Sequence, residues 1–187
     1  MRDLVSPFEW LAESMTVNLC RNASDPNVGL KMTEDASALK CYMADTGLLV
    51  SHAFSENELA AGGIAARLVL GDTDVNRGMI VENAVAQMLR AASQGLFYFS
   101  RDDRENAENR MEIDFLLTRS KVERSHNVFP VEVKSSSRYS TVSLDKFRQK
   151  FGSRVARPIV LHPSNLREKD GVLRLPLYMA PLLPELA

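Results

Sequence analysis

Asp114, Glu132 and Lys134 are the residues whose types and spacing could do chemistry in this chain. They lie in two short stretches, Met-Glu-Ile-Asp-Phe-Leu-Leu (111–117) and Val-Phe-Pro-Val-Glu-Val-Lys (128–134). Carboxylate oxygens suit a hard cation such as Mg²⁺, which takes one or two of them and fills its remaining positions with water and phosphate oxygens. Such an ion acidifies a bound water and neutralises charge on a phosphate under attack. A lysine beside it can orient the water or stabilise the developing negative charge, and it offsets the repulsion between the carboxylates. The chemistry these types point to is metal-assisted hydrolysis of a phosphodiester.

Positioning them requires two strands. In both stretches β-branched and aromatic residues alternate with charged ones at period two, which predicts short strands. Met111, Ile113 and Phe115 are expected on one face, with Glu112 and Asp114 on the other. Val131 and Val133 are expected inward, with Glu132 and Lys134 together on the opposite side. A polar loop carrying an exposed His126 lets the strands pair antiparallel, which gathers the three charged groups on one surface.

A third element precedes the pair. Residues 79–92 follow helical spacing through Val81, Ala84, Val85, Met88, Leu89 and Ala92, and Glu82 borders that apolar stripe. A strand over 96–100 follows. Beyond Lys134, a helix over 143–151 is expected with Ser143 as its cap. Residues 138–157 hold six basic side chains (Arg138, Lys146, Arg148, Lys150, Arg154, Arg157) against one acid, Asp145. Arg138, Lys146, Arg148 and Lys150 are the candidates for contact with a phosphate backbone.

The rest of the chain sets the background. Its 187 residues suffice for one domain or two small ones, and a net charge of −1 does not by itself indicate a nucleic-acid binder. Cys20 and Cys41 match no zinc or redox spacing and are expected reduced and partly buried. No glycine belongs to a phosphate-loop motif, so no ATPase site of that type is present. With no apolar run of membrane-spanning length and no secretory leader at Met1, a soluble, cytoplasmic protein is expected, without membrane partners.

Towards the N-terminus a helix is expected over 8–19, with Trp10 in the core and a strand opening at 17–19. A turn over 22–27 leads to extended segments at 30–34 and 38–42. Asp45-Thr-Gly reads as a cap or turn, and His52 as a surface or packing residue. Residues 56–70 look helical but are weakened by Gly62 and Gly63. The loop 71–74 is the expected boundary between an N-terminal region, 1–74, and a second domain, 75–187. There, 158–161 reads as a buried strand with a structural His162 after it, 172–175 as a further strand, and 178–186 as a proline-interrupted ending.

Asp114 followed by Glu132-Val133-Lys134 resembles the signature of the PD-(D/E)xK superfamily of restriction-endonuclease-like nucleases, with Ile113 where the family name has Pro. The resemblance implies that Asp114 and Glu132 bind a divalent ion, Mg²⁺ or alternatively Mn²⁺, and that Lys134 is the catalytic lysine. It further implies that Glu82, on the first helix, is a third ligand or an orienting catalytic group.

A wider resemblance runs from about Trp10 to the end. It is carried by Lys-Cys-Tyr-Met-Ala-Asp-Thr-Gly-Leu-Leu (40–49), Val-Glu-Asn-Ala-Val-Ala (81–86), Glu-Ile-Asp-Phe (112–115), Val-Glu-Val-Lys-Ser-Ser (131–136) and Ser-Leu-Asp-Lys-Phe (143–147). In that order these are similar to an uncharacterised C-terminal domain of bacterial and archaeal AAA-type ATPases, which implies an AAA-type ATPase domain as a partner. The expected fold is α/β: a mixed central sheet flanked by helices, restriction-endonuclease-like, preceded by a partial winged-helix-like helix and β-ribbon. The expected function is Mg²⁺-dependent hydrolysis of DNA. The alternative is a non-catalytic module that binds DNA or protein and positions a partner ATPase.

Overall fold

Asp114 interrupts the strand in which the sequence places it, and the architecture turns on that break. The computed structural model describes residues 2–27, 29–53, 77–103, 105, 106, 108–118 and 127–186, with side chains from residue 7 onward. In chain order these form α1 (Arg2–Glu13), β1 (Val17–Ala23), β2 (Glu34–Met43), α2 (Thr46–Ala53) and α3 (Arg77–Ala91). There follow β3 (Phe97–Arg101), β4 (Met111–Ile113), β5 (Phe115–Thr118), β6 (Val128–Val133) and α4 (Val142–Phe151). The chain closes with β7 (Ile159–His162), β8 (Arg167–Lys169), β9 (Val172–Pro176), a 3-10 turn (Leu177–Leu182) and α5 (Leu183–Leu186).

Two mixed sheets result, in a mixed α/β protein with five α-helices among the described residues. One runs β2-β1-β3-β4 and the other β5-β6-β7-β9-β8. β4 pairs with β3, while β5 pairs with β6, so Asp114 stands where the chain leaves one sheet for the other. The break also changes the side-chain phase. Met111 and Ile113 enter the core against Leu144 and Phe147 of α4, whereas Phe115 and Leu117 enter the core against Val85 and Leu89 of α3. The expected single face for Met111, Ile113 and Phe115 is therefore corrected. Val131 and Val133 do lie on the α3 side together, with Glu132 on the other.

The five-stranded sheet is covered on both faces, as its near-continuous apolar strands require. Phe129, Val131, Ile159, Leu161 and Leu175 pack beneath α3, the C-terminal turn and α5, with Ala180 of the turn and Leu183 of α5 buried there. On the other face Val128, Val160 and Val172 meet α4. There Phe147 lies 5.3 Å from Phe99 and 4.9 Å from Phe151, ring centre to ring centre.

Several N-terminal expectations shift. The helix ends at Glu13, and Met15 takes a left-handed φ of 57° on the way into β1. Trp10 is 66% exposed, so it is not a core residue. Residues Leu30–Thr33 form a 3-10 turn instead of a strand, and 46–53 form a helix. Asp45 caps that helix, its Oδ1 accepting the Leu48 N–H at 2.9 Å. The β-ribbon is the antiparallel pair β1–β2, and β1 also pairs parallel with β3 through Arg21↔Phe97 and Asn22↔Tyr98. Strands from before and after the expected boundary at 74 thus share a sheet. The boundary itself, the 56–70 helix, and the loop carrying His126 lie outside the described residues.

Later elements fall close to expectation, with three differences. Thr141, not Ser143, precedes the first turn of α4. His162 belongs to β7 and is fully buried, its Nδ1 3.4 Å from the Tyr139 hydroxyl and its Nε2 3.3 Å from the Asn165 carbonyl. β8 forms an antiparallel hairpin with β9 that the sequence reading lacked. Among the described residues no helix is long and apolar enough to cross a membrane.

α3 is keyed to β2 by Asn83. Its Oδ1 accepts the Met43 N–H at 2.8 Å, and its Nδ2 donates to the Met43 carbonyl at 3.1 Å and to Thr46 Oγ1 at 3.0 Å. This buried amide displaces the apolar stripe: Asn83, Val85, Ala86 and Leu89 are buried, while Val81, Ala84 and Met88 are only half-buried. Removing it leaves a buried N–H and C=O unpaired. Asn83→Ala should lower unfolding free energy by about 2–3 kcal/mol in urea denaturation. A loss near zero would show that water replaces the amide.

Candidate carboxylate–lysine site

Asp114 accepts the Val133 N–H on Oδ2 at 2.7 Å. Val133 is the last residue of β6, and β5 pairs with that strand from Phe115 onward. The carboxylate thus takes over where the ladder ends, and the bond needs its charge-accepting oxygen at the sheet junction. Burial, then the neighbouring Glu82 carboxylate, push the Asp114 pKa up to about 7, against the Val133 N–H and Lys40, which pull it down; Glu132 raises it further.

Glu132, beside Val133, is 2% exposed and points to the α4 face. Burial raises its pKa, opposed by Lys134 and by a hydrogen bond from the Leu144 N–H in the first turn of α4. A helix N-terminus suits a carboxylate because its N–H groups are unpaired and carry partial positive charge. Lys134 Nζ lies 2.9 Å from Glu132 Oε2. Oε2 is buried, and the Lys134 ammonium compensates its charge.

Glu82 approaches from α3. The Tyr42 hydroxyl donates to its Oε1 at 2.5 Å, and Lys40 Nζ lies 3.0 Å from the same oxygen. Lys40 also pairs with Glu112 Oε1 at 2.6 Å. Since β2 and β4 are opposite edges of the four-stranded sheet, its side chain bridges that sheet, with Nζ 5.2 Å from the centre of the Tyr98 ring. Burial works against the lysine's charge, but Glu82 and then Glu112 outweigh it and hold its pKa above the usual range. Cys20 is fully buried, and burial raises its pKa, so it is no ready thiolate; Cys41 is exposed, and both thiols are free.

The structure places Asp114 on the Val133 amide and pairs Lys134 with Glu132 on either side of that residue, with Glu82, and to a lesser degree Glu132, close enough to act on Asp114. It does not close Glu82, Asp114 and Glu132 into one coordination set. Among the described residues no three His, Cys, Asp or Glu side chains are grouped so as to hold an ion. The basic candidates are also divided. Lys146 Nζ donates to the Arg110 carbonyl at 3.2 Å and Lys150 Nζ to Asn109 Oδ1 at 3.0 Å. Arg148 turns instead to the Asp170 carbonyl at 3.2 Å, and Arg138 is exposed on the segment after Lys134.

Residues 77–179, more than half of the chain, match the model described as "Domain of unknown function (DUF4143)". The chain belongs to the DUF4143 family. Searches of curated proteins and of solved structures found no match. The DUF4143 match takes in Glu82, Asp114, Glu132 and Lys134 but not Lys40 or Tyr42, which come from the preceding β2.

Sequence reasoning missed Lys40, Tyr42 and Gln87 as parts of this site's scaffold. Gln87 Oε1 accepts from the Thr46 N–H at 3.0 Å and from its hydroxyl at 2.8 Å. The signal for the first two was present: Lys40 and Tyr42 are two apart on an extended segment, so they share a face. The raised Asp114 pKa makes a further prediction. Between 3.8 and about 7 the folded chain keeps a proton that the unfolded chain has released, so this group makes stability fall as pH rises. In the absence of divalent ions, Asp114→Asn should remove that component. Its melting temperature should fall less than the wild type's between about pH 5 and about pH 8. Parallel pH profiles for the two proteins would refute the assignment.

Proposed function

We propose that this protein is a Mg²⁺-dependent nuclease-like domain that hydrolyses DNA phosphodiesters, built on a restriction-endonuclease-like core. The observation that carries the reading is the placing of Asp114 on the Val133 amide next to Glu132, whose charge acts on it. One has its carboxyl pushed up to about 7, and the other has a buried oxygen met by the Lys134 ammonium at 2.9 Å. Two partly dehydrated carboxylates are stabilised by a cation. A Mg²⁺ ion that keeps most of its waters needs no third protein carboxylate, so the residues present fit it. Mn²⁺ suits the same oxygen donors.

When bound, the ion lowers the pKa of a water and offsets charge on the attacked phosphate. Asp114 and Glu132 would hold it, and Asp114 would do so while keeping the Val133 amide in place. Lys134, at the end of β6, would orient the attacking water or stabilise charge on the phosphate oxygens. Water adds to phosphorus, the bond to the departing sugar oxygen breaks, and that oxygen leaves with a proton. Glu82 would act as an orienting group. Lys146 and Lys150, one turn apart, line a groove of about 410 Å³ with Glu108, Asn109 and Gln149, a surface suited to backbone phosphates. The resemblance to C-terminal domains of AAA-type ATPases adds a motor domain as partner.

One observation favours the alternative, a non-catalytic module that binds DNA or protein and regulates a partner ATPase. Lys40 already neutralises Glu82, so part of the cluster is satisfied without an ion. Cleavage assays separate the two. With Mg²⁺ or Mn²⁺, plasmid and single-stranded DNA should be cut by the wild type. Asp114→Ala and Lys134→Ala should each cut about a hundredfold more slowly or worse. DNA binding without cutting under either metal would replace the enzyme with the module.

A further inference from the structure

Glu82 Oε1 is saturated. A carboxylate oxygen offers about two lone-pair sites, and Tyr42 and Lys40 take both, at 2.5 and 3.0 Å. Among the described residues no hydrogen bond reaches Oε2 of Glu82. The Lys40 ammonium is itself shared with Glu112 at 2.6 Å and leans over the Tyr98 ring, so it is held from three sides. Its side chain is 23% exposed, against 25% for Glu82, which places the pair where bulk water screens it only in part. Tyr42 is fixed in turn, with its ring centre 5.8 Å from that of Phe115, the residue after Asp114. None of these contacts is explained by β2 merely completing a sheet edge, since a strand needs no half-buried lysine for its ladder.

We infer that Lys40 is a resident cation of the carboxylate cluster, which with Tyr42 occupies Glu82 Oε1 and competes with a divalent ion for Glu82. The inference rests on the nuclease-like reading for its ion, but not for its geometry. A divalent ion can approach Glu82 only through Oε2 unless Lys40 gives way, and the two positive charges repel at this range. Lys40 and Tyr42 are thereby positioning residues. They set how many carboxylates an incoming ion can recruit by occupying Oε1 of Glu82. They also make β2, which precedes the matched DUF4143 segment, part of the site.

The test is isothermal titration of the full chain with MnCl₂, without nucleic acid, for the wild type, Lys40→Met, Lys40→Arg and Tyr42→Phe. Removing the ammonium should tighten Mn²⁺ binding about tenfold, because Glu82 and Glu112 are then left without their cation. Lys40→Arg, which restores the charge, should bind like the wild type. Tyr42→Phe keeps the ring against Phe115 and removes one donor from Oε1, so it should tighten binding by a smaller factor, about two- to threefold. It also serves as the readout should Lys40→Met fail to fold. Equal or weaker binding in Lys40→Met and Tyr42→Phe than in the wild type overturns the competition and leaves the nuclease reading standing. No Mn²⁺ binding by any of the four proteins overturns both.

Discussion

A single hydrogen bond, from the Val133 N–H to Asp114 Oδ2 at 2.7 Å, decides how the two sheets of this protein part. A strand running straight from Met111 to Thr118 would keep one side-chain phase and belong to one sheet. Asp114 instead puts its carboxylate where the next ladder bond would be. The chain before it stays with β3, the chain after it joins β6, and two separate apolar cores form on either side. The residue that could bind a metal is therefore also the residue that shapes the junction. A buried N–H that loses its acceptor is costly, so the carboxylate is held in place whether or not an ion is present.

That constraint explains the electrostatics around it. A half-buried carboxylate held at a sheet junction is only partly hydrated, so burial and the proximity of Glu82 raise its pKa. The protein meets this concentration of negative charge with two lysines from opposite ends of the described fold. Lys134 stays with Glu132 at the end of β6, while Lys40 crosses from β2 to Glu82 and Glu112. The compensation is incomplete at Glu132, where burial still raises the pKa despite Lys134. Partly satisfied buried charge is a poor way to stabilise a fold. It makes sense where something else completes the set, which is the physical basis for reading a cation site here.

Much of this was legible in the residues. Period-two alternation located both strands of the central pair, and helical spacing located α3 with Glu82 at its margin. The six basic side chains of 138–157 located the charged surface, although only side-chain contacts show that Lys146 and Lys150 diverge from Arg148. What alternation cannot show is a phase change: Met-Glu-Ile-Asp-Phe reads as one strand because every second residue is apolar. Trp10 misled for a related reason, since an amphipathic helix of α1's length does not reveal how far its stripe is covered. Lys40 and Tyr42 share a strand face that the spacing shows, but their common partner Glu82 is 42 and 40 positions away, and no local pattern encodes that pairing. The opposite holds for Asp45, whose cap is made three residues on and was readable.

Where a divalent ion sits decides whether these carboxylates form a metal site. Crystals of the wild-type chain soaked in MnCl₂ and measured at the manganese absorption edge would locate it directly. An anomalous peak between the carboxylates of Asp114 and Glu132, beside Lys134, is the predicted result. Manganese found only at surface carboxylates, or no peak at all under conditions that saturate other sites, would contradict the central claim and leave the junction at Asp114 as architecture alone.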